Sequence, residues 1–445
     1  MIDGVWKTKA RLVARGFEED SSQFRSDSPT CTKDSIRIML TVASSYGWKI
    51  HSMDIKAAFL QGKPIDRELF LKPPKEAKAN GKLWKLKKVV YGLSDASRVW
   101  YLRVLEELTR LGAKVSRYDK ATFIIKSNGE MHGVIIVHVD DFLWAGSHEL
   151  VSRVIDPIRE TFRVSKEFDV AFKYVGVDLD QKGNTICLTQ HRYVEGLEQL
   201  EIDDSQPSDL DRPATDKERK DFRALVGQLQ WSVTMSRPDM AFGSCDLGAV
   251  QSKPTLSDLK KANKYIKDIK GDKVGLKFSP MDVGSAEIIV YADASYGNLR
   301  DGGSQGGYII FLADKYGRCA PISWCSKRLK RVARSTLSAE TQAATEALDA
   351  AYLLRKFLVD MFEREFGVVL CTDNQSLVDS INTTNLSTDK RLRVDLAALR
   401  EAHENNEVHF KWVETAKQIA DVFTKKGASK RNLLQILQSC CLAQA

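Results

Sequence analysis

The chain has 445 residues, 43% hydrophobic and 28% charged, with a formal net charge of +8. That composition excludes a disordered or collagen-like chain, and the length predicts several domains rather than one core. No apolar stretch approaches the ~20 residues of a membrane helix, and the N-terminus does not read as a secretory signal. The positive charge is uneven. Lys7, Lys9, Arg11 and Arg15 fall in 5–15 without an acid, and six lysines face Glu76 alone in 75–88. Two such runs, with Trp6 and Trp84 beside them, suit a groove that tracks phosphates. The eight cysteines show no CxxC or Cys/His zinc spacing and read as reduced packing residues of an intracellular protein.

In chain order, SIRIMLTVASSY (35–46) has helical apolar spacing and stops at Gly47, and HSMDIKAAF reads as a strand ending near Asp54. A helix is expected over 96–112. TFIIK, a Ser-Asn-Gly-Glu turn, VIIVHV and FLWAG follow as strands, with the second turn placed at Asp140-Asp141. A helix near 148–162 precedes two strands, FKYVGVDLD and TICLTQ, joined by a QKGN turn. Residues 205–270 turn helical, 271–286 read as a connector, and from 287 a mixed α/β pattern begins. His51, His138, His403 and His409 stand alone and read as structural. Trp100, Trp231 and Trp412 read as core, and Trp84, among lysines, as the exposed exception.

Two sets of acids stand out. Asp140 and Asp141 interrupt an apolar run, and an unpaired buried carboxylate is too costly to be accidental. If the strand bearing Asp54 pairs with the 133–139 strand, three carboxylates converge. Oxygen donors in such a group suit Mg²⁺, and two such ions serve phosphoryl transfer. Phe59, five residues after Asp54, falls near the same place and is large enough to exclude a ribose 2′-hydroxyl. The second set is Asp293, Glu340, Asp373 and Asp421, at expected strand ends and helix starts, where a metal-bound water would be the nucleophile.

The ordered motifs KARLVARGF (9–17), MDIKAAFLQG (53–62), VVYGLSDASRVW (89–100), VHVDDFLWAG (137–146), YVGVDL (174–179), LVGQLQWSVTMSRPDMAF (225–242), YADASYG (291–297), SAETQA (338–343), CTDNQS (371–376) and QIADVFTKK (418–426) resemble the polymerase region of copia-type LTR retrotransposons. The resemblance implies an α+β multidomain protein, a right-hand polymerase of fingers, palm and thumb followed by a ribonuclease H-like α/β domain. It implies fingers and palm over 1–204, a helical thumb or connection over 205–270, the connector 271–286, the ribonuclease H-like domain over 287–427 and a tail over 428–445.

The same resemblance makes Asp54, Asp140 and Asp141 the polymerase ligands of Mg²⁺ or Mn²⁺, and Asp293, Glu340, Asp373 and Asp421 those of the nuclease. Phe59 becomes the sugar gate, Lys9 and Arg11 approach the incoming triphosphate, and Tyr91 and Gly92 lie under nucleotide and template. YVG lies near the primer end. The implied partners are an RNA template, a DNA primer, RNA–DNA hybrid, dNTPs and other Pol or Gag products, in a cytoplasmic virus-like particle or the nucleus. The family shows Tyr where His138 stands and Lys-Gln where Ser94-Asp95 stand, so Asp95 threatens to repel a triphosphate. Relatives carry more sequence upstream, and no integrase, protease or Cys/His knuckle accompanies this chain. It is therefore expected to be a fragment, a processed product or a decaying element. The alternatives to an active polymerase are a decayed nucleic-acid-binding remnant and a nuclease alone.

Overall fold

The computed structural model describes residues 11–20, 22, 24–203, 209–383 and 389–442. Lys9 and Trp6 lie outside them. The chain divides into two compact units, Met1–Thr32 with Ile50–Asp169, and Lys33–Lys49 with Val170–Ala445. Among the described residues no helix is long and apolar enough to cross a membrane.

The first unit is built on a six-stranded antiparallel sheet. Its strands are β1 (Ile50–Ile55), β2 (Lys114–Val115), β3 (Thr122–Ser127), β4 (Glu130–His138), β5 (Asp141–Gly146) and β6 (Val164–Asp169), in the spatial order β2-β3-β4-β5-β1-β6. Side chains alternate across a strand, so Met53 and Ile55, Phe123 and Ile125, Ile135 and Val137, and Phe142 and Trp144 enter one core. Helix Ala96–Arg110 covers it with Trp100, Val104 and Leu108. The β3–β4 turn is Asn128-Gly129, both at positive φ (51° and 82°), as a two-residue type I′ connection requires. A short hairpin, Phe70–Leu71 with Trp84–Lys85, carries part of the lysine-rich run, and Trp84 is 39% exposed.

In the second unit, β7 (Ala171–Tyr174), β8 (Val177–Lys182), β9 (Thr185–Thr189) and β10 (Leu276–Phe278) form an antiparallel sheet ordered β10-β9-β8-β7. The stretch expected as a plain connector thus contributes a strand. Helices Asp216–Met235, Ala241–Ala249 and Leu256–Gly271 lie between β9 and β10 in sequence. Two of them begin with a capping box, Thr215 with Glu218 and Thr255 with Asp258, which satisfies otherwise orphaned N–H groups.

The rest of the unit is a five-stranded mixed sheet of β11 (Glu287–Ser295), β12 (Gln305–Ala313), β13 (Cys319–Arg328), β14 (Val368–Thr372) and β15 (His409–Trp412). The order is β13-β12-β11-β14-β15, antiparallel through β13-β12-β11 and parallel through β11-β14-β15. The long helix Thr336–Phe362 makes the crossover from β13 to β14. Trp412, expected in the core, is 45% exposed because β15 is the sheet edge.

Candidate active sites

In the first unit Asp54 on β1 is the cross-strand partner of Asp141 on β5, so the acids meet through β5 and not through the expected pairing of β1 with the 133–139 strand. The turn itself is one residue earlier than expected. It is Val139-Asp140, with His138 paired to Asp141 across its mouth, and Asp141 already belongs to the strand. Val139 takes φ +58°, a left-handed conformation that a β-branched residue rarely adopts and that costs about 1–3 kcal/mol. Three bonds hold it. The β4–β5 ladder closes it, Ile55 N–H donates to the Asp140 carbonyl (2.9 Å), and the Trp100 indole N–H donates to the Val139 carbonyl (2.7 Å).

Like charges directly opposite each other destabilise a sheet, and here the crowding raises the proton affinity of the hairpin acids. Burial, then Asp140 and Asp54, push the Asp141 carboxyl up to about 6. Asp140 is also raised, by burial and by Asp54, against the pull of Arg11. The Ser165 hydroxyl on β6 donates to Asp54 Oδ2. This set is more open than the second one described below, where the carboxylates of Asp293, Glu340 and Asp373 approach within 4.8 Å of one another.

A cleft of about 540 Å³ opens here, lined among others by Arg11, Asp54, Lys56, Tyr91, Asp140 and Ser165. The Arg11 guanidinium lies 5.7 Å above the Tyr91 ring, whose centroid is 4.8 Å from Phe59 at an interplanar angle of 60°. Arginine thus covers the face of Tyr91, and Phe59 meets Tyr91 edge-on. Gly92 permits it: at φ +92° a Cβ would lie 2.0 Å from the Ala14 carbonyl, because Ala14 N–H donates to the Tyr91 carbonyl at 2.7 Å. Of the expected nucleotide-site residues, Arg11, Phe59, Tyr91 and Gly92 come together and Lys9 lies outside the described residues.

Asp95 does not threaten this cleft. It is 4% exposed and receives Arg67 through two bonds, 2.7 Å and 3.1 Å. The same guanidinium donates to both Glu19 oxygens (2.6 Å and 3.1 Å) and lies 4.3 Å from the Phe24 ring. A charge that would repel a triphosphate is therefore paired in a bidentate geometry, with Arg67 shared between Asp95 and Glu19. His138 is half-buried at the hairpin mouth. His51 stacks on Trp144 at 4.0 Å, a packing role as expected.

In the second unit, Asp293 on β11, Glu340 in the second turn of helix Thr336–Phe362 and Asp373 just past β14 bring carboxylate oxygens within 4.8 Å of one another. Asp293 and Glu340 are buried. Burial pushes Asp293 up to about 7, against Lys425 and the Thr424 hydroxyl, and Glu340 well above its ordinary value, with Asp293 and Asp373 adding to it. An all-oxygen group this tight suits a hard divalent cation such as Mg²⁺ or Mn²⁺. Asp421 stands outside the group. It sits in a 3₁₀ turn, Ile419–Phe423, not at the start of the terminal helix, which begins at Arg431. Lys425 Nζ bonds Asp421 at 2.6 Å and lies 3.5 Å from Asp293, so the ammonium joins Asp421 to the cluster.

These shifts have a stability consequence. Asp293 holds its proton up to about 7 in the folded chain but releases it near 3.8 when unfolded. Between those values the folded state binds more protons, so stability falls as pH rises. In metal-free buffer the melting temperature should drop across that window, and Asp293→Asn should flatten the drop. Parallel melting curves against pH for the two proteins would refute this.

Four participants escaped the sequence reading. Ser165, Arg67 and Lys425 act through pairings that no local pattern encodes, and Trp100 was recognised only as core.

Residues 3–210 match the family of reverse transcriptase (RNA-dependent DNA polymerase). The chain is 27% identical over 444 residues to the retrovirus-related Pol polyprotein from transposon RE1 of Arabidopsis thaliana, covering 94% of this chain and 29% of that protein. It is 27% identical over 452 residues to the corresponding polyprotein from transposon TNT 1-94 of Nicotiana tabacum, covering 94% and 33%. It thus spans about a third or less of these curated relatives. The fold matches the foamy viral protease-reverse transcriptase, solved in complex with RNA/DNA hybrid, with a TM-score of 0.56 at 13% identity over 91% of this chain and 48% of that one. The chain is thus similar over nearly its whole length to the Pol polyproteins of these transposons, and its residues 3–210 match the reverse transcriptase family.

Proposed function

We propose that the first unit extends a DNA primer on an RNA or DNA template, and that the Asp293–Glu340–Asp373 site cuts the RNA strand of the resulting hybrid. The observation that carries the polymerase reading is the Asp54–Asp141 register at the wall of a cleft that also holds Arg11 and Tyr91. Carboxylates alone would repel a triphosphate, and Arg11 and Lys56 in the same cleft offset that repulsion. Divalent cations held by Asp54, Asp140 and Asp141, and by Asp293, Glu340 and Asp373 with Asp421 nearby, would supply charge neutralisation and an activated hydroxyl or water. The protein's own part is positioning. The hairpin fixes the acids, Arg11 meets phosphate, and the Tyr91–Phe59 pair bounds the sugar and base.

Primer extension on primed RNA with dNTPs and, separately, with rNTPs tests this. The wild type should use dNTPs. Phe59→Val should narrow the preference for dNTPs over rNTPs about tenfold or more, by opening space for the 2′-hydroxyl. Equal loss with both nucleotides would reduce Phe59 to a packing residue. Binding of primer–template with neither extension nor cleavage would favour the decayed-remnant reading.

A further inference from the structure

The Val139-Asp140 turn breaks a local rule. The first position of this two-residue connection has φ +58° and holds valine, where glycine is the residue that adopts such a φ without strain. Its side chain packs against the core below, so the valine is anchored. Its carbonyl is taken by the Trp100 indole N–H at 2.7 Å. Trp100 is 1% exposed and itself fixed, edge-on to Phe162 at 5.1 Å and 67°. A buried aromatic on a helix therefore reaches 39 residues along the chain to grip the backbone next to the acid pair.

We propose that Trp100 is a positioning residue for the carboxylates: its N–H holds the left-handed Val139 and so sets where Asp140 and Asp141 point. Phenylalanine would fill most of the same space without a donor, and an unanchored valine would relax toward negative φ and swing Asp140 away from Asp54. A half-buried carbonyl left without its donor would add to that tendency. This inference rests on the polymerase reading for its kinetic consequences, but its structural content is separate.

The test is Trp100→Phe, Val139→Gly and their combination in the full chain, because glycine adopts the turn without a clamp. Trp100→Phe should lower kcat for primer extension about 10–100-fold, with nucleotide KM and primer–template affinity unchanged. In the Val139→Gly background the same change should cost much less. Mn²⁺ binding, followed by the loss of its free-ion resonance signal in a Glu340→Gln background, reads the first acid set without any turnover. Trp100→Phe should weaken it about tenfold, and Val139→Gly should restore it. Unchanged kcat and Mn²⁺ affinity in Trp100→Phe, or a loss that follows the unfolded fraction and is the same with glycine at 139, would overturn the proposal. A wild type that extends no primer would defeat the polymerase reading, while the Mn²⁺ comparison would still decide the role of Trp100.

Discussion

Asp140→Asn should abolish primer extension, by at least about 10³-fold, while leaving the protein as stable as the wild type or slightly more so. The substitution is isosteric, and the turn does not depend on the carboxylate. It is held by the β4–β5 ladder, by Ile55 N–H on the Asp140 carbonyl and by Trp100 on the Val139 carbonyl. What disappears is charge. Asp140 is one reason that Asp141 rises to about 6, so its removal returns Asp141 toward the ordinary carboxylate range. A group that costs stability in the metal-free protein and is indispensable for turnover is the expected signature of a functional site. Substantial extension by this variant would remove Asp140 from the chemistry.

Glu340→Gln should separate the second site in the same way. Glu340 is buried, faces Asp293 and Asp373, and takes a hydrogen bond from the Ala294 backbone. Burial and those neighbours raise its proton affinity, so the carboxyl weakens the fold increasingly as pH rises from its ordinary range. The amide keeps the shape and an acceptor for the backbone bond. Metal-free Glu340→Gln should therefore melt higher than the wild type at pH 8, with the gap closing toward pH 5 (a shift of about 2–4 °C per kcal/mol for a domain of this size). Cleavage of the RNA strand in a hybrid should fall at least about 10³-fold. A variant that melts lower and cleaves normally would make Glu340 a structural residue.

Much of this architecture was legible because local and tertiary preferences agree. The helix Lys33–Tyr46 follows the apolar spacing and stops at Gly47, which has φ +68°. Asn128-Gly129 makes the turn its residues demand. The sequence also put Asp54 at the end of its strand, where a period of two limits which side chains can face each other, but it paired that strand with 133–139 and not with β5. The errors lie where tertiary forces override local ones. Asp140-Asp141 is the better turn by composition, yet the register moves the turn onto Val139, which only the Trp100 bond and core packing make tolerable. Leu276–Phe278 is too short to announce itself in a Gly- and Pro-containing stretch and is a strand only because β9 pairs with it. The charge of Asp95 looked like a defect until Arg67, 28 residues away, supplied its partner. Asp421 was grouped by order with the other three acids, but it stands outside their cluster, and Lys425, not another carboxylate, links it to them.

The central claim is that one chain carries two independent acid sites, one joining nucleotides and one cutting RNA. A single reaction decides it: a primed RNA template, labelled differently on primer and template, with dNTPs and Mg²⁺, run with the wild type, Asp140→Asn and Glu340→Gln. The wild type should extend the primer and cleave the template. Asp140→Asn should cleave preformed hybrid without extending, and Glu340→Gln should extend without cleaving. Loss of both activities in either variant, or of neither, would contradict it.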